Sequence, residues 1–380
     1  MIAQLINLSR QDAFITHKKK YGLQGNSYQG LYGLEIREIN SNPMDRLSEG
    51  TNAEFKNVYT LNSELFITGS IEQLKNTVES VNGLSTVSLK DEISKSICNF
   101  EEYCSHSYTF RKKEFDFKKS FVMGILNVTP DSFSDGGNYF DPETAVNFGL
   151  KMLEQGADIV DIGGESTRPG SDPVSSAEEL KRVIPVINKI LDANEDAVLS
   201  IDTTKTKVAE EALKCGAQIV NDISGGVFEP EIFNVAKEFN AGFVIMHIKG
   251  RPKTMQQNPG YENLVQEVYD FLAVQSAKAQ AAGIEKLFLD PGIGFGKSVD
   301  DNFKLLKRLE DFKSLSFPLL IGLSRKSFIG KSLDLEMDER DEASNALNLL
   351  AIDRGARIIR THNVKLGVQI CRLMNEMIII

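Results

Sequence analysis

Phe121-Val122-Met123-Gly124-Ile125-Leu126-Asn127-Val128-Thr129-Pro130-Asp131-Ser132-Phe133-Ser134-Asp135-Gly136-Gly137 decides how the rest of the chain reads. An apolar run ends abruptly in Asn, Thr and Pro, then passes into a loop of Asp, Ser and paired Gly. A buried parallel strand that delivers polar groups to a loop at its C-terminal end has this pattern.

Outward from that stretch toward the C-terminus, a strand-then-helix grammar repeats. Candidate strands fall at 121–126, 158–162, 198–202, 218–222, 242–246, 286–290, 318–322 and 356–360, each short and rich in Ile, Val, Leu or Phe. Amphipathic stretches such as Ala145–Gln155, Ala177–Leu191, Lys207–Lys214 and Leu264–Ala281 separate them, and Gly156, Gly216, Gly283 and Gly355 stand just past helix ends. Eight such units predict an α/β chain folded as a (β/α)8 TIM barrel over residues 120–380. A doubly wound open sheet, the alternative, needs fewer units.

Toward the N-terminus, the charged segment Arg111–Lys119 reads as a solvated linker, 111–119, after a smaller α+β domain at 1–110. That domain is rich in Asn, Ser and polar turns and carries no recognisable chemical signature. Within it, Glu64–Thr68 reads as a strand, Ser70 as the N-cap of a helix from Ile71 to about Val81, and Ser94–Tyr103 as a second helix.

The 380 residues are 41% hydrophobic, enough for a sizeable core, and the net charge of −10 argues against broad nucleic-acid binding. Four cysteines without CxxC spacing read as thiols in a reducing cytoplasm. No run has the length of a membrane span, and the N-terminus lacks the pattern of a signal peptide.

Polar residues collect where the predicted strands end. Asn127 follows the first, Asp161 and Asp202 end the second and third, and Asn221 with Asp222 ends the fourth. His247 follows the fifth, Asp290 ends the sixth, Ser324–Lys326 follow the seventh, and Arg360 with His362 closes the eighth. In a parallel barrel these positions converge on one mouth. Each alone is compatible with an ordinary strand-end cap; their coincidence points to a site.

At these positions the chain resembles dihydropteroate synthase, the folate-pathway family that joins a pterin to p-aminobenzoate. The resemblance rests on Met123–Phe133, Gly163-Gly164-Glu165-Ser166-Thr167-Arg168-Pro169-Gly170, Ser200–Thr203, Asn221–Ile223, Met246–Gly250 with Pro252–Gln256, Asp290–Lys297, Ser324–Ser327 and Arg360–His362, in the family's order. It implies that Asp290, Asn221, Asp202 and Lys326 hold the pterin, and that Arg360 and His362 bind pyrophosphate. It also implies that Thr167, Arg168, Pro169, Ser324 and Phe295 form the p-aminobenzoate pocket. Asp202, Lys326, Arg360 and His362 are the residues expected nearest the chemistry. Mg²⁺ is the implied cofactor, with Asn127 as its protein ligand. Residues 124–137 and 163–170 are expected to close over the substrates. The resemblance further suggests a homodimer and inhibition by sulfonamides, with no nucleic-acid or membrane partner.

His247 reads equally as a structural histidine or a ligand contact. Gly292–Ser298 ends like a nucleotide-binding P-loop, but that motif requires Gly where Pro291 stands. Asn363 departs from the family's usual Asp, and Ala343-Ser344-Asn345-Ala346 departs on the preceding helix. Two other readings stay open: a pterin-binding methyltransferase, which leaves Ser166–Gly170 and Ser324–Ser327 unexplained, and a pterin-binding relative without turnover.

Overall fold

The computed structural model describes residues 2–23, 30–37, 58–62, 64–80, 87–129, 142–168, 170–257 and 259–379, and it divides into two compact units. The first comprises Met1–Tyr103 with Arg308–Ser316; the second comprises Cys104–Lys307 with Phe317–Ile380. Pro130–Asp141, most of the first expected closing loop, and Pro169 lie outside the described residues.

In the first unit, β1 (Ile2–Asn7), β2 (Tyr32–Arg37), β3 (Val58–Leu61) and β4 (Glu64–Gly69) form an antiparallel sheet in the order β1-β2-β4-β3. Alternation puts Leu5, Leu34, Ile36, Leu65 and Ile67 into one apolar cluster with Leu74, Ile93 and Ile97 of helices Ile71–Ser80 and Val87–Glu101. Ile6 and Phe66 join Phe14 and Tyr21 of helix Gln11–Tyr21 in another. The helix at Ile71 starts where its cap predicts: Ser70 Oγ accepts the Gln73 N–H at 3.2 Å, and Gln73 Oε1 accepts the Ser70 N–H at 2.8 Å. Glu35 is buried in this unit and accepts from the Tyr21 hydroxyl at 2.7 Å and the Lys20 ammonium at 3.0 Å. Burial pushes the Glu35 carboxyl up, but Arg37, His17 and Lys20 outweigh it and hold it down at about 2.

The second unit is a closed barrel of eight parallel strands. They are β7 (Phe121–Asn127), β8 (Ile159–Gly163), β9 (Leu199–Asp202), β10 (Ile219–Asp222), β11 (Gly242–Met246), β12 (Leu287–Asp290), β13 (Leu319–Gly322) and β14 (Ala356–Thr361). Helices 142–154, 176–193, 206–214 and 264–281 lie where the periodicity puts them, within a few residues. At 355 the chain turns from helix Asp341–Asp353 into β14 with φ of 106°, a backbone conformation that only Gly adopts without strain.

The segment expected as a solvated linker is not one. Ser107–Phe110 (β5) and Lys113–Asp116 (β6) form a hairpin turning at Arg111 and Lys112, and the second unit begins before it, at Cys104. Phe110, Phe115 and Phe117 are buried against Phe288 and Phe121, at the starts of β12 and β7, with ring centroids 4.9–6.3 Å apart. The Tyr108 hydroxyl donates to the Leu287 carbonyl at 3.0 Å. The charges of 111–119 occupy the outer side of a sealing hairpin, while the intervening aromatic rings cover the barrel's lower end.

No helix among the described residues is long and apolar enough to cross a membrane. All four cysteines are free thiols.

Candidate active site

Parallel register brings the strand-end polar residues to one level. Asp202 is paired across the ladder with Gly163 on one side and Asn221 on the other, while Arg360 lies between Gly322 and Met123. Gly163 contributes no side chain, and the Asp202 carboxylate occupies the space that its Cβ would approach.

Arg360 ties this level together. Its Nε donates to Asp161 Oδ2 at 2.7 Å and its Nη2 to Asp202 Oδ2 at 2.6 Å, and Asn221 Nδ2 donates to the same Asp161 oxygen at 2.9 Å. Burial opposes the Arg360 charge, but Asp161 and Asp202 more than compensate and hold the guanidinium above its usual range. Asp202 is pushed up to about 7: burial dominates, Arg360 pulls it down, and neighbouring Asp161, Glu179 and Asp222 push it further up. Asp161 was visible as a strand-end residue but was not foreseen as the partner of Arg360.

A second group surrounds Asp290. Its Oδ1 accepts the Gly292 N–H at 2.7 Å, and burial raises its pKa against the pull of Lys326. A Cβ at 292, where φ is 69°, would lie 1.8 Å from the His247 carbonyl oxygen, so this turn requires Gly. Lys326 donates to the Ile293 carbonyl, and its Nζ sits 4.8 Å from the centroid of the Phe295 ring. Burial lowers Lys326 to about 8. Phe295 packs with Phe228 against Ile223, Met246, Ile248 and Met255, an apolar surface beside the polar groups and suited to a flat ring.

Lys297, in the segment rejected as a P-loop, is buried. It contacts His247 Nδ1 at 2.9 Å and donates to the carbonyls of Gly292 at 2.9 Å and Phe295 at 3.0 Å. Burial lowers it to about 7. His247, buried with its edge against Phe271, is held well below the usual histidine range by burial and by Lys297. The neutral ring accepts from Lys297, and together they shape the sixth loop.

Ser324 is bonded to His362. Its Oγ accepts the His362 N–H at 3.1 Å and lies 2.9 Å from His362 Nδ1, so a hydroxyl proton directed at Nδ1 leaves the ring's N–H on Nε2. Burial, then Arg360, Arg325 and Arg168, lower His362 to about 3, and its ring is neutral at pH 7. Asn363 donates to Asp341 Oδ2 at 3.0 Å, and Asp341 clamps Arg325 at 2.8 and 3.0 Å. An Asp at 363 would set a second carboxylate against Asp341, so Asn suits this chain. Ser344 Oγ accepts the Arg325 N–H at 3.1 Å, which gives that departure a local role.

Asn127 is half-buried at the end of β7 and makes no side-chain hydrogen bond to the other residues named here. Arg168 is exposed, and Thr167 lines an open cavity of about 400 Å³ with Asp202, Thr203, Phe228 and Arg251. Among the described residues, no group of three or more His, Cys, Asp or Glu is arranged to hold a metal.

The family whose model matches residues 123–362 is described as "Pterin binding enzyme". The chain is 48% identical to the dihydropteroate synthase of Synechocystis sp. over 267 residues, covering 69% of this chain and 92% of that protein. Among solved structures, it resembles a Yersinia pestis dihydropteroate synthase with a sulfonamide drug complex (40% identity, TM-score 0.68, 72% of this chain and 99% of that one). It also resembles a Xanthomonas albilineans dihydropteroate synthase with 4-aminobenzoic acid (40% identity, TM-score 0.65, 70% and 96%).

Proposed function

This chain belongs to the dihydropteroate synthase family of pterin-binding enzymes, and from the geometry of its barrel mouth we propose which side chains carry each part of the reaction. It is a transferase of folate biosynthesis. It condenses 6-hydroxymethyl-7,8-dihydropterin pyrophosphate with p-aminobenzoate to give 7,8-dihydropteroate and pyrophosphate. The carbon–oxygen bond breaks with its electron pair going to pyrophosphate, a carbon–nitrogen bond forms to the arylamine, and the amine sheds one proton.

The observation that carries the assignment is Arg360, held between Asp161 and Asp202 beside Asn221. Asp290 accepts the two adjacent N–H donors of the pterin's pyrimidinone edge, a bidentate arrangement only a carboxylate can offer. Asn221 faces the neighbouring ring nitrogen and amine, Asp202 the reduced-ring N–H, and Lys326 the ring carbonyl. The guanidinium of Arg360 has N–H donors beyond the two on Asp161 and Asp202, and these with His362 Nε2–H meet the pyrophosphate as charge develops on it. The arylamine is neutral near pH 7, so it needs no activating triad. Thr167, Arg168 and Phe295 border its ring. Ser324, held against His362, completes the contacts proposed for p-aminobenzoate.

Magnesium suits the donor set: it prefers oxygen ligands and keeps several waters, so the Asn127 amide oxygen together with substrate phosphate suffices without a carboxylate cluster. When bound, it would neutralise charge on the leaving pyrophosphate.

Product formation with and without Mg²⁺, for the parent and Arg168→Ala, tests this reading. Metal-dependent dihydropteroate formation that collapses in the variant is expected; pterin binding with no product from the parent would sink it. Sulfonamides, which imitate p-aminobenzoate, are expected to compete in the same assay.

The perturbed groups predict a pH profile. Asp202, titrating near 7, must be ionised to accept an N–H, so kcat/KM for the pterin substrate rises as pH climbs through that value. Lys326, titrating near 8, must be charged, so the profile falls above it. Asp202→Asn should remove the acidic limb; a limb unchanged in that variant would assign it to substrate ionisation instead.

The first unit, Met1–Tyr103 with Arg308–Ser316, we read as an accessory domain outside the chemistry, and the whole enzyme as cytoplasmic, in keeping with its free thiols. Cell fractionation checks the latter. Leu349, Leu373 and Met377 are exposed on the outer helices Asp341–Asp353 and Val364–Ile379, which pack on each other, and this supports a homodimer. Leu373→Glu with Met377→Glu should convert a dimer to a monomer in sedimentation; a parent that already sediments as a monomer refutes the dimer.

A further inference from the structure

Beside the mouth lies a buried charge cluster that the reaction as assigned does not use. Glu179, in the first turn of helix Ser176–Ala193, is fully buried. Acidic residues in a first turn usually face water and the helix dipole. Here the carboxylate meets the Lys205 ammonium, which also binds Glu165, and the three side chains form one bridge. Among the described residues Glu179 Oε1 has no hydrogen-bond partner, and Lys205, helped by the Thr203 hydroxyl, is the chief compensation for this buried charge. Burial opposes the Lys205 charge, but Glu179 and Glu165 outweigh it and keep the lysine protonated well above neutrality.

The bridge connects two parts of the site. Glu165 stands two residues before Thr167 in the second loop, and Lys205 stands three residues after Asp202 at the end of β9. Further bonds stiffen each side. Glu165 Oε2 accepts the Val174 N–H at 3.4 Å, Arg182 Nη1 donates to the Gly164 carbonyl at 2.8 Å, and the Lys205 N–H donates to Thr203 Oγ1 at 3.2 Å. The open cavity of about 400 Å³ is lined by Glu165, Glu179, Lys205, Asp202 and Thr167 together, so the bridge forms a wall shared by both substrate regions.

We infer that Lys205, clamped between Glu165 and Glu179, is a positioning residue that holds the second loop against the Asp202 strand end and thereby orients p-aminobenzoate toward the pterin. This inference rests on the assignment of Thr167 and Arg168 to the arylamine pocket. In this reading Lys205 sets where the loop that meets p-aminobenzoate can stand.

Glu165→Ala is the decisive variant, because it cuts the link to the loop and leaves the buried Lys205–Glu179 pair intact. Steady-state kinetics should show KM for p-aminobenzoate raised about tenfold to a hundredfold. KM for the pterin pyrophosphate and the thermal midpoint should stay near the parent values, and Glu165→Gln, which still accepts from Lys205, should recover most of the loss. Lys205→Met strands the buried Glu179 carboxylate together with the half-buried Glu165 and is expected to unfold readily, so Lys205→Arg serves at that position and should retain the parent's KM pair.

An unchanged KM for p-aminobenzoate in Glu165→Ala overturns the inference, as does a rise in both KM values together with a lower thermal midpoint, the mark of a merely structural bridge. Arg168→Ala in parallel separates the two levels. If Arg168→Ala raises KM for p-aminobenzoate and Glu165→Ala does not, only the bridge is refuted; if neither does, the pocket assignment falls and the bridge with it.

Discussion

An Arg360→Met enzyme is expected to lose about 10²–10³ of its kcat, the usual consequence of removing one donor aimed at developing negative charge. It should also unfold with about 3–5 kcal/mol less stability, because the change leaves buried carboxylates without their cation. Asp161 is fully buried and Asp202 nearly so, and each gives an oxygen to the same guanidinium at 2.7 and 2.6 Å. The stability loss has a pH sign. Without Arg360, which pulls it down, the Asp202 carboxyl titrates still further above its value in the unfolded chain, so the native state retains a proton that the unfolded state gives up as pH rises. The deficit should therefore be largest above the folded values, with Asp202 near 7 even in the parent, and should shrink as pH falls toward about 4, where the unfolded carboxyls also hold their protons. Arg360→Lys keeps a charge but cannot span two carboxylates with a planar fork. It should recover much of the stability and little of the turnover. Denaturant unfolding at several pH values, with kinetics on the same preparations, checks both halves; a folded Met variant with parental kcat would remove Arg360 from the chemistry.

The barrel was legible because its strands are buried on both faces and carry almost no polar side chain until they reach the mouth. Leu199–Asp202 and Leu287–Asp290 each end on a carboxylate, so the last residue marks both the strand's end and the site's floor. Gly355 marked a helix end for an equally local reason. The pairing inside the site is different. Asp161 and Arg360 are 199 positions apart, and no local period shows that β8 and β14 stand on either side of β7 with these side chains in contact. Burial of charge was also hidden. Lys297 sits among glycines in a loop that reads as exposed, and it is buried only because the carbonyls of Gly292 and Phe295 turn inward to receive it. Glu179 lies in a helix's first turn, where an acid normally faces water; Lys205, from another element, is the chief compensation for its burial. The hairpin at 107–116 was misread because charge run and aromatic spacing were weighed together, whereas on a strand alternate positions answer to different surroundings.

Asp290→Asn is the second change with a large expected effect, and it isolates recognition from folding. The amide oxygen can still accept the Gly292 N–H, now 2.7 Å from Asp290 Oδ1, so the turn after β12 and the thermal midpoint should be preserved. What changes is the edge offered to the pterin. A carboxylate presents two acceptors to two adjacent donors, whereas the amide turns one of its own N–H groups toward a substrate N–H, leaving buried polar groups unpaired. Sites built around substrate hydrogen bonds reject such mismatches by about 10⁴, and kcat/KM for the pterin substrate should fall by that order. KM for p-aminobenzoate should change little. The lost charge has a second consequence. Asp290 raises the pKa of both Lys326 and Lys297, so its removal lets burial lower them further. The residual activity should therefore lose its alkaline limb at lower pH than the parent, where Lys326 titrates near 8. A profile with the limb unmoved would mean that Lys326 does not feel the Asp290 charge. A kcat/KM within a few-fold of the parent, far short of that 10⁴, would mean that the pterin edge is read by other groups.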